Sequence, residues 1–173
     1  KILQGDKALT AEYKDLAPML FLMAELAQIL IKRRNNAGQL DFDIPEPEII
    51  LNKDGTVKDI HRKPREMSDR VIEQFMVLTN EVVAKHFDHL KLPFVYRVHE
   101  VPALERVKKF RAFAGSLGLK FIASGDQPSP KDFQQLLKNN ANKDYSSALS
   151  KVMLRSMQKA RYETENLGHF GLA

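Results

Sequence analysis

The chain has 173 residues, of which 43% are hydrophobic and 28% are charged, so it is long enough to bury one substantial core. Its 27 lysines and arginines outnumber 22 aspartates and glutamates, and the resulting formal charge of +5 weakly favours a polyanionic partner. The absence of cysteine excludes disulfides and thiolate zinc sites, and no apolar run approaches the roughly twenty residues that cross a bilayer. We expect a cytoplasmic protein without a membrane partner.

The first half of the chain predicts a long helix followed by strands. Apolar residues recur at helical spacing over residues 9–34, with a kink expected at Pro18. Residues 40–44 alternate apolar and polar side chains, as a half-buried strand does. Residues 48–52 and 56–61 flank a Lys-Asp-Gly turn and predict a hairpin. Together these segments predict a three-stranded antiparallel patch.

The second half predicts mainly helices. Residues 66–90 carry apolar side chains on two neighbouring lines, which indicates burial of a broad face. Further elements are predicted as a strand over 94–99, helices over 102–117, 131–138 and 145–161, and a loop over 124–130. The fold class is therefore α+β, with a largely antiparallel sheet packed by several helices. Residues 169–173 read as a buried strand, so the chain is expected to be an excerpt of a longer protein.

Asp41 and Asp43 lie two residues apart on the predicted strand and share one of its faces. Paired carboxylates of this kind can bind a divalent cation, since hard cations prefer oxygen ligands. A solvated strand face is the more frequent cause of the same alternation. Phe42, on the opposite face, is either a core residue or a platform on which a base stacks.

Glu73 and Asn80 lie seven residues apart on the predicted helix over 66–90, which places both on nearly the same azimuth. A carboxylate and an amide at the border of an apolar stripe can hydrogen-bond sugar hydroxyls. The alternative is a pair of boundary residues bonded to neighbouring backbone.

Lys151, Arg155 and Lys159 follow one another at four-residue spacing on the last predicted helix, and Tyr162 continues the line. Cations on one face with an aromatic side chain at the end are typical of a phosphate track with a stacking platform. A solvated charged face produces the same pattern. The sequence contains no serine nucleophile elbow, phosphate-binding glycine loop or histidine pair at zinc spacing, so it predicts no self-sufficient catalytic centre.

Six blocks, taken in order, resemble the interior of the ribonuclease II type catalytic domain found in the bacterial ribonuclease R enzymes. These blocks are Ile2-Leu-Gln-Gly-Asp6, Leu40-Asp-Phe-Asp43, Arg70-Val-Ile-Glu-Gln-Phe-Met76 with Asn80, Tyr96-Arg-Val-His-Glu100, Leu154-Arg-Ser-Met-Gln158 with Ala160 and Tyr162, and Asn166-Leu-Gly-His-Phe-Gly-Leu-Ala173. The resemblance covers essentially the whole chain.

This resemblance implies an exoribonuclease that hydrolyses single-stranded RNA processively from its 3′ end and releases nucleoside 5′-monophosphates with the help of Mg²⁺. The aspartate-rich metal motif of that family is expected before residue 1, and its arginine-rich, phosphate-contacting segment after residue 173. The cold-shock and S1 domains of the family are likewise expected outside the chain. No catalytic residue and no metal ligand is therefore assigned within it, and the chain alone is expected to be inactive.

The resemblance assigns Glu73 the role of a helix glutamate that contacts a ribose hydroxyl near the 3′ end. It also places Phe42 close to an aromatic side chain that packs against bound bases, although a one-residue gap leaves its register open. Asn80, Arg155 and Tyr162 complete the candidate RNA-binding residues. Many relatives have a second glutamate at Gln74. Two other hypotheses remain: a noncatalytic RNA-binding or scaffolding relative with the same fold, and a stand-alone magnesium site at Asp41 and Asp43.

Overall fold

The structure is a computed structural model that describes residues 1–42, 46–123, 125 and 127–172. Helices alternate with short antiparallel strands, in agreement with the predicted α+β class. In chain order the elements are α1 (Lys7–Glu12), α2 (Ala17–Ala37), β1 (Pro47–Leu51), β2 (Val57–Arg62), α3 (Met67–Leu90), β3 (Tyr96–Val98), α4 (Leu104–Ser116), α5 (Pro130–Asn139), α6 (Ser146–Ser156) and β4 (Arg161–Glu163). The chain forms two compact units, of which the first comprises Lys1–Lys32 with Pro45–Glu81 and the second Arg33–Ile44 with Val82–Ala173.

The first helical region is divided, not kinked at Pro18 as predicted. Asp6 caps α1, because its carboxylate accepts a hydrogen bond from the Leu9 amide at 3.0 Å. A turn over residues 13–16 then separates α1 from α2. Pro18 lies in the first turn of α2, where its missing N–H would have no helical partner in any case. Proline therefore starts this helix and does not bend it.

The predicted hairpin is confirmed. β1 and β2 pair antiparallel, with Ile49 opposite Ile60, and Gly55 adopts a φ of 83° in the connecting turn. All the residues of both strands are exposed. The first unit buries its own small apolar cluster from α2 and α3, with Ala24, Ala27 and Val71 at its centre.

The predicted third strand over residues 40–44 is not found where the structure describes this segment. Leu40 lies outside any strand and donates its amide to the carbonyl of Gly171 at 3.2 Å. Residues 43 and 44 lie outside the described residues. The two sheets found among the described residues are two-stranded, β1 with β2 and β3 with β4. Over the described residues 40–42 the third strand is not formed, because a partner distant in sequence takes the hydrogen bond at Leu40.

The second unit holds the larger core, built where α4, α5 and α6 meet. Its fully buried large side chains are Val98, Phe110, Phe133, Leu149 and Met153. A capping box begins α5: the Ser129 amide donates to the Asp132 carboxylate at 2.7 Å, and the Asp132 amide donates to the Ser129 hydroxyl at 3.3 Å. Pro130, which the sequence analysis placed in the loop, occupies the first position of that helix. Residues 124 and 126 of the predicted loop lie outside the described residues.

The last predicted helix, over residues 145–161, is shorter in the structure. α6 ends at Ser156, and Met157 adopts an extended conformation that places its side chain in the core at 3% exposure. The Met157 carbonyl accepts a hydrogen bond from Arg106 at 2.9 Å. The chain then turns into β4, whose Arg161 pairs with Val98 of β3. Burial of Met157 and pairing with β3 therefore replace the last five residues of the predicted helix, about one and a half turns.

Candidate functional site

Glu73 lies on the second turn of α3 and is held by a residue that precedes the helix. The Arg65 guanidinium approaches the Glu73 carboxylate with Nη2 2.5 Å from Oε2. The side chain of Glu73 is 29% exposed and that of Arg65 is 40% exposed, so the pair is partly shielded from water. Charge-assisted hydrogen bonds of this type are stronger than neutral ones. The partner of Glu73 is therefore a cationic side chain and not neighbouring backbone, which was the alternative.

Asn80, the second polar residue predicted on this face, is exposed on α3. No direct contact links it to Glu73 in the described residues. The helix predicted over 66–90 is confirmed as α3, which begins at Met67. The two side chains therefore lie on one helix as expected, while their joint role in binding stays a prediction.

Gln74 is buried next to Glu73, with 3% of its surface exposed. Its Oε1 has no hydrogen-bond partner in the structure. A buried amide oxygen without a donor is unfavourable, since it loses its hydrogen bond to water. The buried side of α3 thus carries the amide of Gln74, at a position where many members of the family that the sequence resembles have a second glutamate.

Phe42 is partly buried and packs against the core of the second unit, which favours its core role over an exposed stacking platform. Asp41 is exposed, and Asp43 lies outside the described residues. Among the residues that the structure describes, no three histidine, aspartate or glutamate side chains converge in a way that could hold a metal ion. The hypothesis of a magnesium site at Asp41 and Asp43 stays a prediction, because Asp43 lies outside the described residues.

The basic line predicted on the last helix is interrupted, because α6 ends before two of its four members. Arg155 is exposed in the last turn of α6, and Lys159 lies beyond the end of the helix. Tyr162 lies on β4 opposite Arg97 and is 74% exposed. The prediction of one continuous helical face was wrong, because the backbone turns at Met157. Two of the four side chains lie on α6 and two lie beyond its end.

The sequence reasoning, which considered only histidine pairs at zinc spacing, missed a cluster around His99. The ring Nδ1 of His99 accepts a hydrogen bond from the Gly171 amide at 3.2 Å. Its backbone pairs with the carbonyl of Gly168 at 3.0 Å and the amide of Phe170 at 2.7 Å. The ring of His169 lies 5.0 Å from that of His99, centroid to centroid. No local pattern signals this pairing, because about seventy residues separate its two sides.

Burial lowers the pKa of His99, and the charge of Arg97 lowers it further, while a hydrogen bond to the Gln158 backbone opposes both effects. Burial also lowers the pKa of His169, assisted by the charges of His99 and Arg97. Both rings therefore favour the neutral form in the folded chain. This agrees with the geometry, because Nδ1 of His99 can accept from Gly171 only when it carries no proton.

The segment after residue 168 forms a short 3-10 turn over Phe170–Leu172 instead of the predicted strand. Phe170 is buried, with its ring 6.0 Å from that of Phe133. Next to the cluster, Arg161 forms ion pairs with Glu163 and with Glu100, the latter at 3.1 Å. These contacts tie β4 to the residue that follows His99.

No described helix has the length together with the hydrophobicity that a membrane span requires.

These features define a mixed helical and β-sheet unit with a cation-held carboxylate on a long helix. The sequence profile of the RNB domain family matches residues 1–173, and the chain belongs to that family. It is 38% identical over 173 residues to "Ribonuclease R 1" of Lactococcus lactis subsp. lactis (strain IL1403), covering 100% of this chain and 21% of that protein. It is 34% identical to "Ribonuclease R" of Escherichia coli (strain K12), covering 99% of this chain and 21% of that protein. The chain thus spans about a fifth of the length of these relatives.

Solved structures show the same fold. Mycoplasma genitalium RNase R in complex with ribose methylated single-stranded RNA superposes with a TM-score of 0.86 at 22% identity, over 99% of this chain and 28% of that one. The same enzyme in complex with double-stranded RNA gives a TM-score of 0.82 at 24% identity, over 88% of this chain and 27% of that one. The sequence-based assignment of family and fold class is confirmed.

Proposed function

We propose that the protein containing this chain is a 3′ to 5′ exoribonuclease that degrades single-stranded RNA processively to nucleoside 5′-monophosphates in the cytoplasm. The observation that carries this proposal is the RNB family match over all 173 residues. Relatives named Ribonuclease R at 34% and 38% identity support it, as does a solved RNase R that holds single-stranded RNA.

We propose that residues 1–173 form the interior of a single catalytic domain, with cold-shock and S1 domains elsewhere in the protein. Magnesium is proposed as the cofactor, with its ligands outside this chain, as the resemblance to the ribonuclease R enzymes implies. The chain would contribute a wall of the RNA channel and a sugar contact, and it would be inactive alone.

Glu73 is the residue proposed to distinguish RNA from DNA. Its carboxylate can accept a hydrogen bond from a ribose 2′-hydroxyl, which deoxyribose lacks. Asn80, exposed on the same helix, is proposed to contact the sugar as well. Arg155 and Tyr162 are proposed as further RNA contacts through their exposed side chains. The role proposed for Phe42 is indirect, because it packs against the core and would support the RNA-binding surface from beneath.

The test uses the full-length protein and two oligonucleotides of one sequence, one RNA and one DNA. We expect Glu73→Ala to lower kcat/KM on RNA by about ten- to a hundredfold, as befits loss of a hydrogen bond to a charged group, and to narrow the preference for RNA. Glu105→Ala is the matched control, since Glu105 also lies on a helix and pairs with a cation, Lys108 at 2.9 Å. Unchanged kinetics of Glu73→Ala on both substrates would contradict the assignment.

The competing hypothesis is a noncatalytic relative that binds RNA. Product analysis separates the two, because an exoribonuclease releases nucleoside 5′-monophosphates from the 3′ end and a binder releases nothing. RNA binding by the full-length protein without any product, in the presence of magnesium, would favour the binder.

A further inference from the structure

The backbone on both sides of Arg65 is anchored by hydrogen bonds. Two residues before it, the Lys63 amide donates to the carbonyl of Glu46 at 2.9 Å, which extends the pairing of the hairpin. One residue after it, the Glu66 amide donates to the side chain of Asp69 at 3.0 Å, at the start of α3. The chain therefore enters the helix along a fixed path, and the origin of the Arg65 side chain is fixed with it.

From this origin the guanidinium extends along the first turns of α3. Met67 and Glu73 are six residues apart, so the helix rises by about 9 Å between them. The Arg65 and Glu73 side chains together bridge the gap, and Nη2 of Arg65 lies 2.5 Å from Oε2 of Glu73, eight residues ahead in the chain. A contact over this separation depends on the path that enters the helix, unlike the three- and four-residue pairs that any helix surface provides.

The contact engages one carboxylate oxygen. In the part of the chain that the structure describes, Oε2 of Glu73 receives the bond from Arg65, and no hydrogen bond is formed by Oε1. An ionised carboxylate can accept several hydrogen bonds, so Oε1 remains able to accept from a ligand hydroxyl. The 29% exposure of the side chain gives that ligand access.

We infer that Arg65 is a positioning residue that orients the carboxylate of Glu73 toward a ribose hydroxyl, and thereby sets the preference for RNA over DNA. This rests on the proposed function. Glutamate has three rotatable side-chain bonds, and without a partner its carboxylate samples several rotamers. The planar guanidinium restricts that sampling with directional donors, which the compact ammonium group of a lysine does not reproduce.

The experiment uses the full-length protein and measures the ratio of kcat/KM on RNA to kcat/KM on DNA of the same sequence. Arg65→Ala is expected to lower this ratio by roughly tenfold. This is the factor that corresponds to the loss of one hydrogen bond to a charged group. Arg65→Lys should restore only part of it. The double variant Arg65→Ala/Glu73→Ala should match Glu73→Ala alone, because the two side chains act through one contact. Lys63→Ala, an exposed cation two residues away, controls for lost charge and should leave the ratio unchanged.

The outcomes separate this inference from the proposed function. If Glu73→Ala lowers the ratio and folded Arg65→Ala does not, the positioning role is refuted and the ribose contact stands. An equal loss on RNA and DNA for Arg65→Ala would also refute the role, since it indicates a phosphate contact or a general charge effect. If Glu73→Ala itself leaves the ratio unchanged, the ribose contact fails and the inference fails with it. Should Arg65→Ala not fold, Arg65→Gln and Arg65→Lys carry the same comparison.

Discussion

Protonation of the cluster around His99 should loosen the segment that contains Gly171. In the neutral ring, Nδ1 accepts from the Gly171 amide at 3.2 Å. If Nδ1 carried a proton, the ring N–H and the Gly171 N–H would both be donors and would face each other, so this hydrogen bond would be lost. The guanidinium of Arg97 lies near both rings and opposes a positive charge on either, and a charge on His99 also opposes protonation of His169. Acidification is therefore expected to weaken the contact.

The sign of the effect on stability follows from the direction of the two shifts. The pKa of both His99 and His169 is lowered in the folded chain, chiefly by burial, whereas in the unfolded chain each is about 6.5. The stabilisation is therefore complete above about pH 6.5 and is lost as pH falls from there toward the folded-state pKa values. Each ring can contribute at most about 1.4 kcal/mol per pH unit to the slope of the free energy of unfolding against pH. Both are only partly buried, so solvent screening keeps the actual slope well below this bound.

Urea denaturation of the chain between about pH 5 and pH 8 measures this slope. His99→Asn keeps an acceptor close to the position of Nδ1 but cannot titrate, so it should flatten the pH dependence while retaining the hydrogen bond to Gly171. His89→Asn, on α3 and outside the cluster, controls for the loss of a histidine elsewhere. A free energy of unfolding that stays constant or rises as the wild-type chain is acidified from pH 7 would refute the reasoning.

Three further predictions concern the second unit. Phe133→Ala should lower the free energy of unfolding by about 3–5 kcal/mol, because Phe133 is 0% exposed and its ring lies 4.8 Å from that of Phe121. Urea denaturation measures the change, and a loss below about 1 kcal/mol would contradict the prediction by showing that the core closes over the cavity. Ser129→Ala should cost about 1 kcal/mol by removing the cap of α5, whereas Ser129→Asp should retain most of it, and equal stabilities for the two variants would exclude the capping role. Arg155→Ala should make the dependence of log K for RNA on log salt shallower by about 0.7, as expected for one lost phosphate contact to a single strand, and an unchanged slope would remove Arg155 from the RNA surface.

The elements that the sequence predicted well are those whose signals are local. α3 is specified by apolar periodicity over 24 residues, and the hairpin by the Lys-Asp-Gly turn between two short strands. The helix predicted over 131–138 is found as α5, Pro130–Asn139. In each case the residues that determine the structure lie within a few positions of one another, so one chain is sufficient to read them.

The errors arose where partners lie far apart in the chain. Leu40 pairs with Gly171 and not with the hairpin, and α6 gives way to β4 because Met157 enters the core. At the candidate site, too, a contact between separated residues was missed. The resemblance to a known family identified Glu73, but its partner Arg65 lies outside the helix at a separation of eight residues, which helical spacing does not suggest.

The exposure of α3 shows a further limit and bears on how the site should be tested. Its two apolar lines predicted burial of a broad face, yet Ile72 and Met76 are 66% and 56% exposed, while Val71 is buried. Periodicity identifies which side chains share a face, but it does not identify what covers them. Glu73 lies three residues before the exposed Met76 and therefore next to it on the helix surface, so a partner that covers this face would also shield the Arg65–Glu73 pair from water. Because hydrogen bonds to a carboxylate strengthen in such a low-dielectric setting, the ratio of binding affinities for RNA and DNA should be larger for the full-length protein than for the chain alone.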